Sequence, residues 1–168
     1  MMESVSFVPV HESHLEELTR LYNHYIENTT VTFHTKSLGV EEMRRMLIPC
    51  DQRFKAFVIQ RDDEIAGYVF LARYKPREAY DSSAEVSIYL KPDLTGKGIG
   101  PQALGFIEKV GAKNEFHTLL ATIAGENRAS AHLFEKAGYK QCAHLHEIGV
   151  KFDRMLDVLI FQKIIEAR

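Results

Sequence analysis

The sequence feature that most constrains the fold of this chain is a glycine-rich loop, Thr95-Gly96-Lys97-Gly98-Ile99-Gly100, between a predicted strand and a predicted helix. Glycine readily adopts left-handed backbone angles, so three glycines at alternate positions allow a tight turn. The N–H groups of such a turn face outward at the positive end of the helix dipole, where they can bind a phosphate or pyrophosphate. Lys97 adds a mobile positive charge. A plain strand-to-helix turn without a ligand is the alternative explanation of the same spacing.

The spacing of these glycines excludes two other phosphate-binding loops. A Walker A loop requires Gly-x-x-x-x-Gly-Lys-Ser/Thr, and that string does not occur in the sequence. A dinucleotide-binding loop requires Gly-x-Gly-x-x-Gly early in a strand–helix–strand unit. Here the pattern is Gly-x-Gly-x-Gly, and it lies past the middle of the chain.

The hydrophobic pattern around the loop predicts an α+β, or mixed α/β, domain. Four helices are expected: one from a Ser13 cap, one over 41–48, one after the glycine loop, and one from an Asn127 cap to Gly138. The predicted strands cover 5–10, 54–60, 65–74, 85–90, 119–124, 139–150 and 154–163. Because a strand, the glycine loop, a helix and another strand follow one another, at least one strand pair must be parallel.

The composition is that of an ordinary globular domain. With 168 residues, of which 45% are hydrophobic and 26% charged, one domain over residues 1–168 can bury a core without metal or disulfide cross-links. The net charge of −2 gives no reason to expect a nucleic-acid or membrane partner. No apolar run approaches the roughly 20 residues of a membrane helix, and the first residues lack a secretion signal, so we expect a cytoplasmic protein.

Several segments, in order along nearly the whole chain, resemble the GNAT N-acetyltransferases. The glycine loop, preceded by Asp93-Leu94, resembles their coenzyme A pyrophosphate loop. The other segments resemble the phosphinothricin acetyltransferase-like subfamily: 21–27 and 30–33 its first helix and loop, 77–81 and 84–90 its substrate loop and central strand, and 127–139 the helix that follows. The resemblance implies a central mixed, mostly antiparallel sheet with a splayed strand pair, flanked by about four helices.

The same resemblance implies an activity. The chain is expected to move acetyl from acetyl-CoA, without a metal, directly to the primary amine of a small amino acid or an analogue such as phosphinothricin or methionine sulfoximine, and to form a homodimer. One rival function is acetylation of a protein N-terminus or a polyamine. Another is a non-catalytic module that only binds acyl-CoA.

Coenzyme-binding residues follow from the resemblance. A backbone N–H within Ile88-Tyr89-Leu90 is expected to bond the thioester oxygen as an oxyanion donor. Asn127 is expected to contact the pantetheine arm, and its role as a helix cap is compatible with that contact. The residues of the loop expected to bind the pyrophosphate are Gly96, Lys97, Gly98, Ile99 and Gly100.

Glu85 is the predicted catalytic residue, since it matches the strand carboxylate that deprotonates the substrate amine in these enzymes. An alkyl ammonium is largely charged at neutral pH, so a base must remove its proton. A carboxylate does this only if burial raises its pKa or a water relays the proton. The alternative is an exposed strand residue opposite a lysine.

The predicted substrate-binding residues carry charge or aromatic rings. A guanidinium binds a carboxylate or phosphinate through paired hydrogen bonds, which suits amino-acid-like substrates. The candidates are Tyr25, Phe33, Lys75, Arg77 and Tyr80. For the basic residues, a solvated loop charge is the alternative.

The chain also departs from the family pattern. Thr95 replaces the Gln or Arg that opens the loop motif, and Pro101 removes one N–H from the first turn of the helix. Phe134 occupies the position at which relatives carry a Tyr or His that protonates the departing thiolate. His144 and His146 have metal-ligand spacing on a strand, but no third ligand lies at a regular spacing, so no metal site is predicted.

Overall fold

A computed structural model describes residues 5–165 of the chain. The four α-helices are α1 Leu15–Asn28, α2 Val40–Leu47, α3 Ile99–Lys113 and α4 Arg128–Lys136. The seven strands are β1 Ser6–Pro9, β2 Ala56–Arg61, β3 Glu64–Arg73, β4 Ser83–Leu90, β5 Thr118–Ala124, β6 Lys140–Lys151 and β7 Arg154–Ile164. Short 3-10 helices cover Glu12–His14, Glu78–Tyr80 and Pro92–Leu94.

The strands form one sheet in the order β1-β2-β3-β4-β5-β7-β6. Among the described strands, β4 and β5 form the one parallel pair, and the other neighbours are antiparallel. The predicted mixed, mostly antiparallel fold is therefore confirmed. The parallel pair is the one that the glycine loop and α3 connect, as the order of elements required.

The parallel pair splays. The two strands are in register only over Ser83–Glu85 and Thr118–Leu120. Beyond these rungs, β4 remains paired to β3 as far as Leu90, and β5 remains paired to β7 as far as Ala124. A fork therefore opens between β4 and β5, and α3 begins beside its wide end.

Two hydrophobic clusters hold the helices on opposite faces of the sheet, because side chains alternate along each strand. One cluster joins Val86 of β4 to Leu104 of α3 and Phe134 of α4. The other joins Tyr68 of β3 to Leu18 of α1 and packs against Tyr89 of β4. The fork thus lies between a face covered by α3 and α4 and a face covered by α1 and α2.

The start of the first helix differs from its prediction. Ser13 does not cap α1 but lies inside the 3-10 helix Glu12–His14, and the N–H of His11 donates to His14 Nδ1 over 3.0 Å. The His14 side chain accepts this hydrogen bond from the backbone three residues earlier. Such a local bond competes with the predicted Ser13 cap. No helix of the described residues is long and apolar enough to span a membrane.

Candidate active site

The fork between β4 and β5 contains a cavity of about 940 Å³, a size typical of small-molecule sites. Its walls come from β4, the glycine loop, α3, β5 and α4. The predicted site residues that line it are Tyr25, Ile88, Tyr89, Leu90, Gly96, Gly98, Gly100 and Asn127. Those that do not line it are Phe33, Lys75, Arg77, Tyr80, Glu85, Lys97 and Ile99.

The glycine loop has the backbone geometry that its sequence predicted. Gly96 and Gly98 both adopt left-handed angles, with φ of 72° and 78°. Gly98 is the N-cap of α3 and has no side chain that could cap the free N–H groups of the first turn. Those N–H groups are available to an anion in the cavity. Gly100 is needed for packing, since a Cβ there would lie 3.2 Å from Leu133 of α4.

Two side chains of the loop take other roles. Ile99 is buried in the core, so only its backbone can reach a ligand. The Thr95 hydroxyl donates to the carbonyl of Pro92 over 2.9 Å and closes the preceding turn. Thr95 therefore stabilises the loop, whereas the Gln or Arg expected here from the resemblance would offer a longer donor.

The backbone of β4 directs alternate N–H groups into the fork. Lys91 donates its N–H to Ala66 of β3 over 2.8 Å. Because successive residues of a strand point to opposite edges, the N–H groups of Ile88 and Leu90 point away from β3 and into the fork. The Leu90 carbonyl does the same, since it accepts a 2.5 Å hydrogen bond from the Tyr25 hydroxyl at the cavity wall. Within the predicted tripeptide, Ile88 and Leu90 therefore direct their N–H groups into the fork, whereas Tyr89 directs its N–H towards β3.

One face of α4 supplies the opposite wall. Asn127 Oδ1 accepts the N–H of Ser130 over 3.2 Å, which confirms the predicted helix cap and leaves its amide nitrogen for other partners. Ser130, Leu133 and Phe134 follow it along the cavity. Sequence reasoning missed Ser130 and Leu133, although their spacing of three and six residues from Asn127 places them on the same helix face.

Glu85 lies at the last rung of the β4–β5 pairing, where the two strands part. Its ladder partners are Ala72 and Leu120 rather than a lysine, and its side chain is half-buried, so the alternative of an exposed residue opposite a lysine is wrong. Burial raises the pKa of Glu85, and a hydrogen bond with Thr122 partly opposes that rise. Thr122 lines the cavity, so it connects the carboxylate to the cavity wall.

The predicted substrate loop lies at the opposite end of β4 from the glycine loop. Lys75 and Arg77 are exposed there, and the Lys75 ammonium lies 5.8 Å from the centre of the Tyr80 ring. The base of the loop is held by two ion pairs of Arg73, to Asp51 and Asp81. The structure therefore brings Lys75 and Tyr80 together but leaves all three candidates of this loop outside the cavity.

Phe33 packs against the hairpin formed by β6 and β7, which we call the closing hairpin (residues 140–164). A Cβ at Gly149 would lie 2.6 Å from the Phe33 ring, so the close approach requires glycine. The Lys151 ammonium donates to the carbonyl of Thr32 over 2.8 Å and fixes the same loop. Val31, which sequence reasoning missed, lines the cavity in place of Phe33.

Phe134 is buried, lines the cavity and contacts the edge of the Tyr139 ring with 4.9 Å between ring centres. An aromatic hydrocarbon at this position can shape the cavity but cannot give a proton to a leaving group. The candidate active site therefore consists of the fork with its cavity, the glycine loop and the half-buried carboxylate of Glu85.

The family model described as an acetyltransferase (GNAT) domain matches residues 8–160, most of the chain. The chain belongs to the GNAT acetyltransferase family. The predicted enzyme class, an acetyl-CoA-dependent N-acetyltransferase with acetyl-CoA as its co-substrate, is confirmed by this membership.

Individual GNAT relatives agree with the subfamily that the sequence resembles. A phosphinothricin N-acetyltransferase of Streptomyces coelicolor is 33% identical over 90% of this chain and 91% of its own. An L-methionine sulfoximine/L-methionine sulfone acetyltransferase of Salmonella typhimurium is 24% identical over 86% and 85%. The crystal structure of a ribosomal-protein-alanine N-acetyltransferase from Brucella melitensis is 29% identical, covers 95% of this chain and 99% of its own, and has a TM-score of 0.87.

Proposed function

We propose that the protein transfers acetyl directly from acetyl-CoA to the primary amine of a small amino acid or an analogue such as phosphinothricin or methionine sulfoximine, with residues 1–168 acting as one domain. The observation that carries the proposal is the fork: free N–H groups at the start of α3 and an open strand edge face one cavity, and the half-buried Glu85 carboxylate lies where the strands part, hydrogen-bonded to Thr122 of the cavity wall. The substrate class is supported by two relatives that are named for phosphinothricin and methionine sulfoximine acetylation.

In the proposed reaction the amine nitrogen attacks the thioester carbonyl carbon. The N–H of Ile88 stabilises the negative charge that develops on the carbonyl oxygen. Before the attack, Glu85 takes a proton from the substrate ammonium, directly or through one water, and its burial suits it to this role because the pKa is raised towards the working pH. The C–S bond then breaks and the sulfur leaves as a thiolate.

The lack of a proton donor at Phe134 does not prevent these reaction steps. A thiol has a pKa near 8.5, so the thiolate is a tolerable leaving group without a dedicated acid. The sulfur then takes its proton from water or from the attacking nitrogen, which must lose one proton as it becomes the neutral amide. A Phe134→Tyr variant restores the hydroxyl found in relatives and should raise turnover with a fixed amine. Unchanged turnover would mean that thiolate protonation does not limit the rate.

The test of the activity is a thiol-release screen with acetyl-CoA over amino acids, phosphinic and sulfoximine analogues, polyamines and short peptides. Release with the first three classes supports the proposal. Release only with peptides or polyamines would favour the rival substrates, and the ribosomal-protein-alanine enzyme among the structural relatives makes peptides the more important of these. Acetyl-CoA binding without release for any amine would favour the non-catalytic module.

A homodimer through the closing hairpin is part of the proposal. β6 is an edge strand, and exposed apolar side chains crowd the hairpin: Leu145, Ile148, Val150, Phe152 and Met155. Exposed apolar patches of this kind are typical of protein interfaces. Light scattering should give twice the chain mass for the parent and the chain mass for Val150→Asp. A monomeric parent would contradict the dimer. The cytoplasmic location stays a prediction from the sequence.

A further inference from the structure

Three potential metal ligands converge on the closing hairpin, away from the coenzyme cavity. His144 Nε2 lies 2.7 Å and His146 Nδ1 lies 3.4 Å from the same atom, Asp157 Oδ2. One ligand atom from each of the three residues fits within a 4.8 Å span. Asp157 belongs to β7 and is the third ligand that sequence spacing alone could not supply.

A β-bulge creates this arrangement. Leu145 pairs with Val158 and Gly149 pairs with Leu156, so residues 146–148 of β6 all stand opposite Asp157. Glu147 has a left-handed φ of 49° within the bulge. Such bulges re-aim side chains, and here the bulge begins at His146, two residues after His144.

The bulge also orients the carboxylate. The N–H of Glu147 donates to Asp157 Oδ1 over 2.8 Å, which leaves Oδ2 facing both imidazole rings. A hydrogen bond of this kind to a ligating carboxylate is the usual outer support of a metal site. A simple His–Asp ion pair needs one histidine, whereas here two rings stack with 3.9 Å between their centres and both present a nitrogen to one oxygen.

We propose that His144, His146 and Asp157 bind a divalent transition-metal ion, with Zn²⁺ as the best match. Zinc bonds of about 2.0–2.2 Å to His and Asp place tetrahedral donor atoms about 3.4 Å apart. To bind the ion, the shorter separation to Oδ2 must open by about 0.7 Å. The two stacked rings, now 27° apart, must also tilt so that both nitrogen lone pairs point at the ion. Imidazole with carboxylate is a ligand set that zinc accepts, and hard cations such as Mg²⁺ prefer oxygen alone.

The ligand set leaves a coordination position open. His144, Asp157 and Glu126 border a second cavity of about 310 Å³ at the end of β5. Three protein ligands plus one water or anionic group from this cavity complete a tetrahedral zinc. On binding, the ion replaces the proton that joins His144 Nε2 to Asp157, and the neutral ring carries its proton on Nδ1. The ion thus fastens the bulge of β6 to β7.

The test is calorimetric titration of Zn²⁺ into the full chain after tag removal and chelator treatment. The parent should bind one ion per chain, and His146→Ala should weaken binding at least tenfold. His146 suits this test because its side chain is 73% exposed in the single chain, so its removal should leave the fold of the metal-free chain intact. The matched control is His117→Ala, an exposed histidine at the other end of β5, which should bind like the parent.

A second measurement guards against a misfolded variant. Zn²⁺ should raise the melting temperature of the parent and of His117→Ala but not that of His146→Ala. Equal affinities for the two variants, or millimolar binding by the parent, would overturn the site. One ion per two chains together with metal-dependent dimerisation would also overturn it, because the ligands would then come from two copies.

Discussion

The fork and the closing hairpin are built in different ways. In the fork, the groups that face the cavity are mostly backbone: the N–H groups after Gly98 and those of alternate residues of β4. In the hairpin, the functional candidates are side chains that contact distant segments, such as Lys151 with Thr32 and Phe33 against Gly149. A backbone site tolerates changes of side chain, whereas a side-chain site changes with each substitution. Side-chain substitutions should therefore perturb the hairpin more than the fork.

The largest effect on turnover is expected for Glu85, and it tests whether one side chain of the fork is essential. Glu85→Gln should lower turnover by about 10²- to 10⁴-fold, the usual contribution of a positioned base. Acetyl-CoA affinity, measured by calorimetry, should remain within twofold because the N–H groups of the loop are untouched. The control is Glu135→Gln on the exposed side of α4. Equal turnover of Glu85→Gln and the parent would remove Glu85 from the mechanism.

The second prediction concerns the backbone itself. Gly98→Ala should weaken acetyl-CoA binding about tenfold, because a left-handed angle costs a residue with a Cβ about 1–2 kcal/mol and the loop will relax. Gly138→Ala carries the same strain, with φ of 90°, at a position after α4. Both variants should lose similar thermal stability, but only Gly98→Ala should lose coenzyme affinity. If both lose affinity equally, the loop has no special role.

The third prediction concerns the exposed substrate loop. Arg77→Ala should raise KM about two- to fivefold for amines that carry a carboxylate, since an exposed ion pair contributes about 0.2–1 kcal/mol. KM for amines without an acid group should not change, and neither should kcat. Lys113→Ala, at the far end of α3, is the charge-matched control. An unchanged KM for every amine would exclude Arg77 from recognition.

The smallest expected effect is a shift in the pH dependence of kcat/KM. In the proposed mechanism turnover requires the Glu85 carboxylate, so kcat/KM should fall on the acid side through a pKa above that of an ordinary glutamate. Thr122 lowers that pKa by bonding the charged form, so Thr122→Val should move the acid limb to higher pH. The pH profile of kcat/KM measures this shift. A shift to lower pH, or none, would mean that the limb belongs to another group.

Local patterns predicted most of the fold and the backbone conformation of the glycine loop. The left-handed angles of Gly96 and Gly98 and the helix cap of Asn127 depend on residues nearby in the chain, so spacing could predict them. Their predicted contacts with the coenzyme stay predictions. The Ser13 cap was wrong because His14, a neighbour with a competing acceptor, closes a 3-10 turn first. The packing of Phe33 and the approach of Asp157 to His144 depend on contacts between distant segments, which spacing cannot reveal.

The bond from Lys151 to the Thr32 carbonyl joins residues 119 positions apart. During synthesis, Thr32 in the loop after α1 leaves the ribosome long before Lys151, which holds that loop in place. A nascent chain can therefore assemble the first strands and α1 while this wall of the cavity still lacks its anchor. The loop after α1 should therefore reach its final position only after the closing hairpin has folded.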